Sequence, residues 1–97
     1  MKNIEKIKGL INNNKKLLEK KYSVKTIGIF GSSIKGELTK ESDIDIIVDF
    51  YESPDLFKFI NLEEFLKHLV HRKVDLVSKK ALKPLIKDEI LREAVYI

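Results

Sequence analysis

Residues 24–50 read VKTIGIFGSSIKGELTKESDIDIIVDF: two strand-like runs, the first left through Gly31-Ser32 and the second entered through Asp43-Ile44-Asp45. The first run, 24–30, is rich in β-branched residues and stops at a glycine, as a strand entering a turn does. The second, 43–50, alternates, with Ile44, Ile46 and Val48 on one face and Asp43, Asp45 and Ile47 on the other. Aspartate is a poor strand former, so folding alone does not ask for two of them here. Only about a dozen residues, read as a short helical loop, join the runs, whereas a parallel crossover needs a dozen or more. Antiparallel neighbours are expected.

Outward from this pair the chain alternates. Residues 2–21 space Ile4, Ile7, Leu10, Ile11, Leu17 and Leu18 as one helix, loosened in the middle by Asn12-Asn13-Asn14. Ser53-Pro54-Asp55 signals a helix start with Pro at the first position, and the helix runs to about Val70. Residues 73–77, KVDLV, read as a third strand, and a last helix spans about Leu82 to Ala94 with Pro84 in its first turn. Tyr96 and Ile97 are expected to pack the terminus. A whole helix separates the second and third strands, which calls for a right-handed parallel crossover. The expected fold is α/β, a mixed sheet of three to four strands flanked by helices, in one domain over residues 1–97.

Composition narrows the function. The 97 residues are 43% apolar and 35% charged, with net charge +4 and no cysteine. Disulfide scaffolds, iron–sulfur clusters and thiolate zinc sites are thereby excluded. No apolar run approaches the ~18 residues of a membrane span. The start, MKNIEKIKGL, has lysines but no apolar signal core, so a cytoplasmic protein is expected. The mild positive charge suits a phosphate-bearing ligand, but most of it is lysine spread along helices, which more often forms a solvated face. Nucleic acid is not indicated.

The aspartates carry the chemistry. Asp43 and Asp45 leave one strand face ~7 Å apart along the backbone and repel unless a cation or proton relieves them. Magnesium is the natural cation, because it takes hard oxygen ligands from one or two carboxylates and keeps sites for phosphate. Asp75, in KVDLV, stands where a buried strand would carry Val or Ile. If that strand lies beside the second, three carboxylates converge, and with a triphosphate they can hold two metal ions ~3.5–4 Å apart. Gly31 lets the backbone approach a ligand, the amides after it form an anion site, and the Ser32 hydroxyl adds a hydrogen bond. Asp49 is read as surface or loop, and His68 and His71 as a solvated helix end beside Arg72 rather than metal ligands.

Gly-Ser, ten residues, Asp-x-Asp and a third in-strand aspartate after a helix resemble the minimal nucleotidyltransferases (MNT) of the polymerase-beta-like superfamily. The resemblance covers nearly the whole chain, from the helix before IGIFGS through RKVDLV to the ending ILREAVYI. It implies transfer of a nucleoside monophosphate from ATP or another nucleoside triphosphate. It also implies that Asp43 and Asp45 carry both metals, and that Asp75 completes one metal site and is a candidate to take the acceptor hydroxyl's proton. Gly31 and Ser32 then correspond to the triphosphate turn. Ser33 stands where family members commonly carry an arginine, and Lys35 keeps one charge; serine cannot clamp phosphate bidentately.

Small members of that family resemble the antitoxin half of systems whose toxin is a helical HEPN ribonuclease. There AMP is added to a hydroxyl of the toxin, typically tyrosine. With no room here for an acceptor domain, the expected acceptor is such a partner, and Leu56, Phe59 and Ile60 are either its docking face or core. A small-molecule nucleotidyltransferase and a binding-only antitoxin remain as alternatives, and a homo-oligomer is left open.

Overall fold

The structure, a computed structural model, describes residues 3–31 and 43–97. Its elements run in chain order as follows. Helix α1 (Asn3–Asn13) and helix α2 (Lys15–Tyr22) precede strand β1 (Val24–Phe30) and strand β2 (Ile44–Phe50). Helix α3 (Leu56–Val70), strand β3 (Val74–Ser78), a 3-10 turn (Lys79–Ala81), helix α4 (Pro84–Glu93) and strand β4 (Val95–Tyr96) complete the chain. The sheet order is β3-β2-β1-β4. β1 pairs antiparallel with β2 and with β4, and β2 pairs parallel with β3. The mixed sheet and both expected pairings are present.

Alternation explains the layering. Ile44, Ile46 and Val48 of β2 and Ile27 and Ile29 of β1 are at most 1% exposed and meet Ile11, Leu18, Leu62 and Leu66 of the helices. Ile7 and Ile11, then Leu18 and Tyr22, lie four residues apart, so each short helix lays one stripe on this face. Burying such an aliphatic side chain is worth roughly 1.5–3 kcal/mol. Three helices therefore cover one face of the sheet. The other face receives Asp45 and Ile47 by alternation; Ile47 is buried there, 1% exposed, against Gly28, and Asp45 is half-buried at the start of the strand.

Four expectations need correction. The first helix is two: Asn14 leaves helical geometry (φ −111°, ψ 12°), and its side-chain amide donates to the Leu10 carbonyl at 2.9 Å. Such a local bond offers the backbone an alternative to the helix. α3 starts later than Ser53-Pro54 suggests, because Asp55 is the cap, accepting from the Lys58 amide at 2.8 Å. The last helix is shorter, beginning at Pro84 itself, where the missing amide would be unsatisfied anyway. Val95 and Tyr96 are a fourth strand rather than mere packing, set opposite Ile29 and Gly28, with the Ile97 amide donating to Ile27 at 2.9 Å. A two-residue strand has no periodicity to read. The short helical loop expected after Gly31 falls outside the described residues.

The sheet edges are managed. Glu63 of α3 accepts from the Leu76 amide of edge strand β3 at 3.3 Å, which occupies a donor that could otherwise pair with another strand. Gly28 makes room for β4: a Cβ there would meet the Val95 carbonyl oxygen at 3.1 Å and the Tyr96 ring at 3.2 Å.

Candidate active site

The register of β2 and β3 decides the site. Asp45 is directly opposite Asp75, with Ile44 opposite Val74 and Ile46 opposite Leu76. Both neighbours of each aspartate are buried in the main core, so the two carboxylates share the other face. Asp43 precedes β2 by one residue and is exposed, as is Asp75, whereas Asp45 is half-buried. The parallel crossover through α3 thus brings Asp75 beside Asp43 and Asp45, which lie thirty residues and more earlier in the sequence.

Their charges are felt. The Asp45 carboxyl is held above its ordinary 3.8, first by burial, then by Asp75 and then by Asp43. A carboxylate that is partly desolvated and repelled by two like charges is poised to accept a hard cation. That donor set fits magnesium. Among the described residues no three His, Cys, Asp or Glu side chains are already gathered as a metal site. Asp43 and Asp75 are exposed and free to change rotamer, so side-chain rotation at this register can close the set.

Gly31 is tied to this cluster for a reason the sequence did not disclose. Its φ is +78°, in the left-handed region, and a Cβ built on it would run into Asp45 Oδ2, with Cγ at 3.1 Å. Glycine therefore lets the chain leave β1 directly against the carboxylate, besides any ligand it admits. The only advance signal was the position, since Phe30 is opposite Asp45 across the antiparallel pair. Ser32, Lys35 and Ser33 lie outside the described residues.

The remaining candidates fall elsewhere. Asp49 lies within β2, opposite Thr26, and accepts from the Phe50 amide at 3.0 Å. His68 is exposed on α3, and His71 ends that helix at φ 57°. Leu56 and Ile60 are exposed while Phe59 packs against the core, so the two roles expected of that stretch are divided. A cavity of about 610 Å³ opens between α2 and α3, lined by Lys21, Phe57, Lys58 and Phe65. It lies on the helical side, away from the carboxylate face.

The chain is 50% identical over its whole length to all of a Methanocaldococcus jannaschii protein that bears a provisional protein adenylyltransferase name. It is 46% identical to the protein adenylyltransferase MntA of Thermococcus cleftensis, covering all of this chain and 98% of that one. A solved structure, provisionally named a minimal nucleotidyltransferase, superposes with TM-score 0.82 at 29% identity, over 98% of this chain and 95% of that one. A toxin–antitoxin crystal structure with AMP-PNP gives TM-score 0.73 at 26% identity, over 88% of this chain and 69% of that one. A complex of tri-AMPylated Shewanella oneidensis HEPN toxin with MNT antitoxin, 22% identical over 93% of this chain and 70% of that one, shares the fold at TM-score 0.67. The profile of the nucleotidyltransferase domain family matches residues 11–97, and the chain belongs to that family.

Proposed function

We propose that the chain is a protein adenylyltransferase that moves AMP from ATP to a hydroxyl, a tyrosine, of a HEPN toxin and so acts as its antitoxin. The observation that carries this reading is the register of Asp45 against Asp75, with Asp43 beside them and Gly31 packed on Asp45. Names of full-length relatives as protein adenylyltransferases support it. So do the AMP-PNP bound in one toxin–antitoxin complex and the AMP groups on a HEPN toxin held by an MNT antitoxin in another. The 97 residues act as one transferase domain, and dependence on ATP makes the cytoplasm its setting. Among the described residues no helix is long and apolar enough to cross a membrane.

In this mechanism Asp43, Asp45 and Asp75 would hold magnesium, two ions, whose charge would offset that of the triphosphate and make the acceptor hydroxyl more acidic. Gly31, Ser32 and Lys35 seat the triphosphate, with backbone amides and one lysine doing what an arginine clamp does elsewhere. Asp75 takes the acceptor's proton. The acceptor oxygen bonds to the α-phosphorus, the bond from that phosphorus to the bridging oxygen breaks, and pyrophosphate leaves.

Labelled ATP tests the reading. With a co-purified HEPN protein, label at the α-phosphate should pass to the partner and label at the γ-phosphate should not. An unlabelled partner in both cases, with complex and ATP binding intact, would make the chain a binding-only antitoxin. A separate expectation isolates Asp75. In Asp75→Asn the general base is lost, worth roughly 10²–10⁴ in rate, while Asp43 and Asp45 remain for binding. Transfer should fall at least about a hundredfold, and ATP affinity by much less. Equal losses in both would assign Asp75 to binding alone.

A further inference from the structure

We propose that the end of the molecule opposite the carboxylates is the docking surface for the acceptor protein, which presents there an apolar centre flanked by carboxylates. This rests on the transferase reading above, since it says how the acceptor is held. β2 starts at the site and runs to Phe50, about 20 Å away at ~3.3 Å per residue. Just past that end the chain leaves four large apolar side chains in water. Tyr51, Leu56, Phe57 and Ile60 are 62%, 69%, 78% and 45% exposed. Single exposed apolar residues are ordinary, but Leu56, Phe57 and Ile60 stand together in the first two turns of α3, and a group of this kind marks an interaction site.

The shape supports a docking surface. The first turn of α3 forms a ridge between two cavities. One, about 610 Å³, is bounded by Phe57, Phe65, Lys21 and Lys58, and the other, about 260 Å³, by Leu56, Phe59 and Lys80. The ridge is fixed from below. Asp55 caps the helix through the Lys58 amide, and the Phe59 ring rests on buried Phe50, with centroids 6.3 Å apart and planes at 59°. A partner can therefore seat side chains on both sides of a ridge that is already rigid, which lowers the ordering cost of association.

Charge selects the occupant. Lys21, Lys58 and Lys80 rim the two cavities, and none is ion-paired with a described carboxylate. Lys21 lies 5.5 Å over the Tyr22 ring instead, and Lys25 lies 6.0 Å over exposed Tyr51. Of the nearby acids, Asp55 lines both cavities and accepts from the Lys58 amide at the helix cap, and Glu52 is exposed. Lysines exceed acids at this end, so the complementary surface is acidic at its rim and apolar at its centre. Docking here leaves the carboxylate face open to the acceptor hydroxyl and to ATP.

The test uses the full chain, ATP with magnesium, and the HEPN protein as probe. Leu56→Glu combined with Phe57→Glu alters only exposed positions; unchanged melting and ATP binding confirm that fold and site survive. Partner KM should rise at least about thirtyfold, the effect of losing a hot spot, while kcat at saturating partner stays. Lys21→Glu with Lys58→Glu should slow association and remove its salt dependence. Parental KM in both variants overturns the docking surface and leaves the transferase reading standing. A parent that binds the HEPN protein without transferring AMP, and variants that lose that binding, keep the surface and sink the transferase reading. If instead the parent sediments as a dimer and the Glu variant as a monomer, with partner binding unchanged, the occupant is a second copy and the proposal fails.

Discussion

Asp45→Asn should lower AMP transfer by about a thousandfold or more, roughly 4 kcal/mol of barrier, while making the metal-free protein more stable at neutral pH. The two effects have one origin. In the native state Asp45 is half-buried and faces the charges of Asp75 and Asp43, which hold its carboxyl above 3.8. The unfolded chain carries no such penalty, so ionising this group costs more in the folded protein. Below about pH 3.8 both states are protonated and the cost is absent; it builds as pH rises and is complete above the raised native value. The gain from Asp45→Asn should therefore be full at neutral pH and fade on acidification. Magnesium or manganese should raise the parent's melting temperature, by about 2.7 kcal/mol of stability at a hundredfold excess over Kd. In Asp43→Asn combined with Asp45→Asn that rise should vanish. Thermal melts across pH, with and without metal, check all of this; a full metal response in the double variant places the metal elsewhere.

Gly31→Ala should be nearly as damaging to transfer while leaving most of the fold in place. Two costs coincide at this position. A φ of +78° is unfavourable for any residue with a Cβ, about 1–3 kcal/mol. The added methyl also collides with the Asp45 carboxylate, which must rotate away. Displacing a metal-binding or reacting group by ~1 Å can cost about a hundredfold in rate, and this displacement falls on the innermost carboxylate. Transfer should drop by about two orders of magnitude or more, with a stability loss near 1–3 kcal/mol. A variant that melts lower but transfers at the parental rate would show that Asp45 has another productive position.

Much of this was legible because two periods carry it. The alternation of residues 43–50 fixed which face of β2 is buried, and Asp75 inside KVDLV fixed the third carboxylate. Once a helix of fifteen residues separates two strands, a parallel crossover sets them side by side, so the convergence followed from topology. What stayed hidden depends on contacts between distant residues. Nothing near Gly31 says that its missing Cβ is needed by Asp45, fourteen positions later, because that contact exists only across the β1–β2 register. β4 owes its two residues to the open edge of β1 rather than to any propensity of Val95-Tyr96. The break at Asn14 turns on one amide choosing the Leu10 carbonyl, and among three asparagines the sequence cannot say which one does so. Asp55 took the cap from Ser53 for a similar local reason, a carboxylate oxygen within reach of the Lys58 amide.

Anomalous diffraction from crystals grown with manganese and a non-hydrolysable ATP analogue would locate the metal and the nucleotide against the three carboxylates. Manganese should be bonded to the Asp43 and Asp45 carboxylates, with the α-phosphate beside it and Asp75 facing that phosphate from β3. Manganese bound away from these residues, or the nucleotide seated in the cavity between α2 and α3, would contradict it.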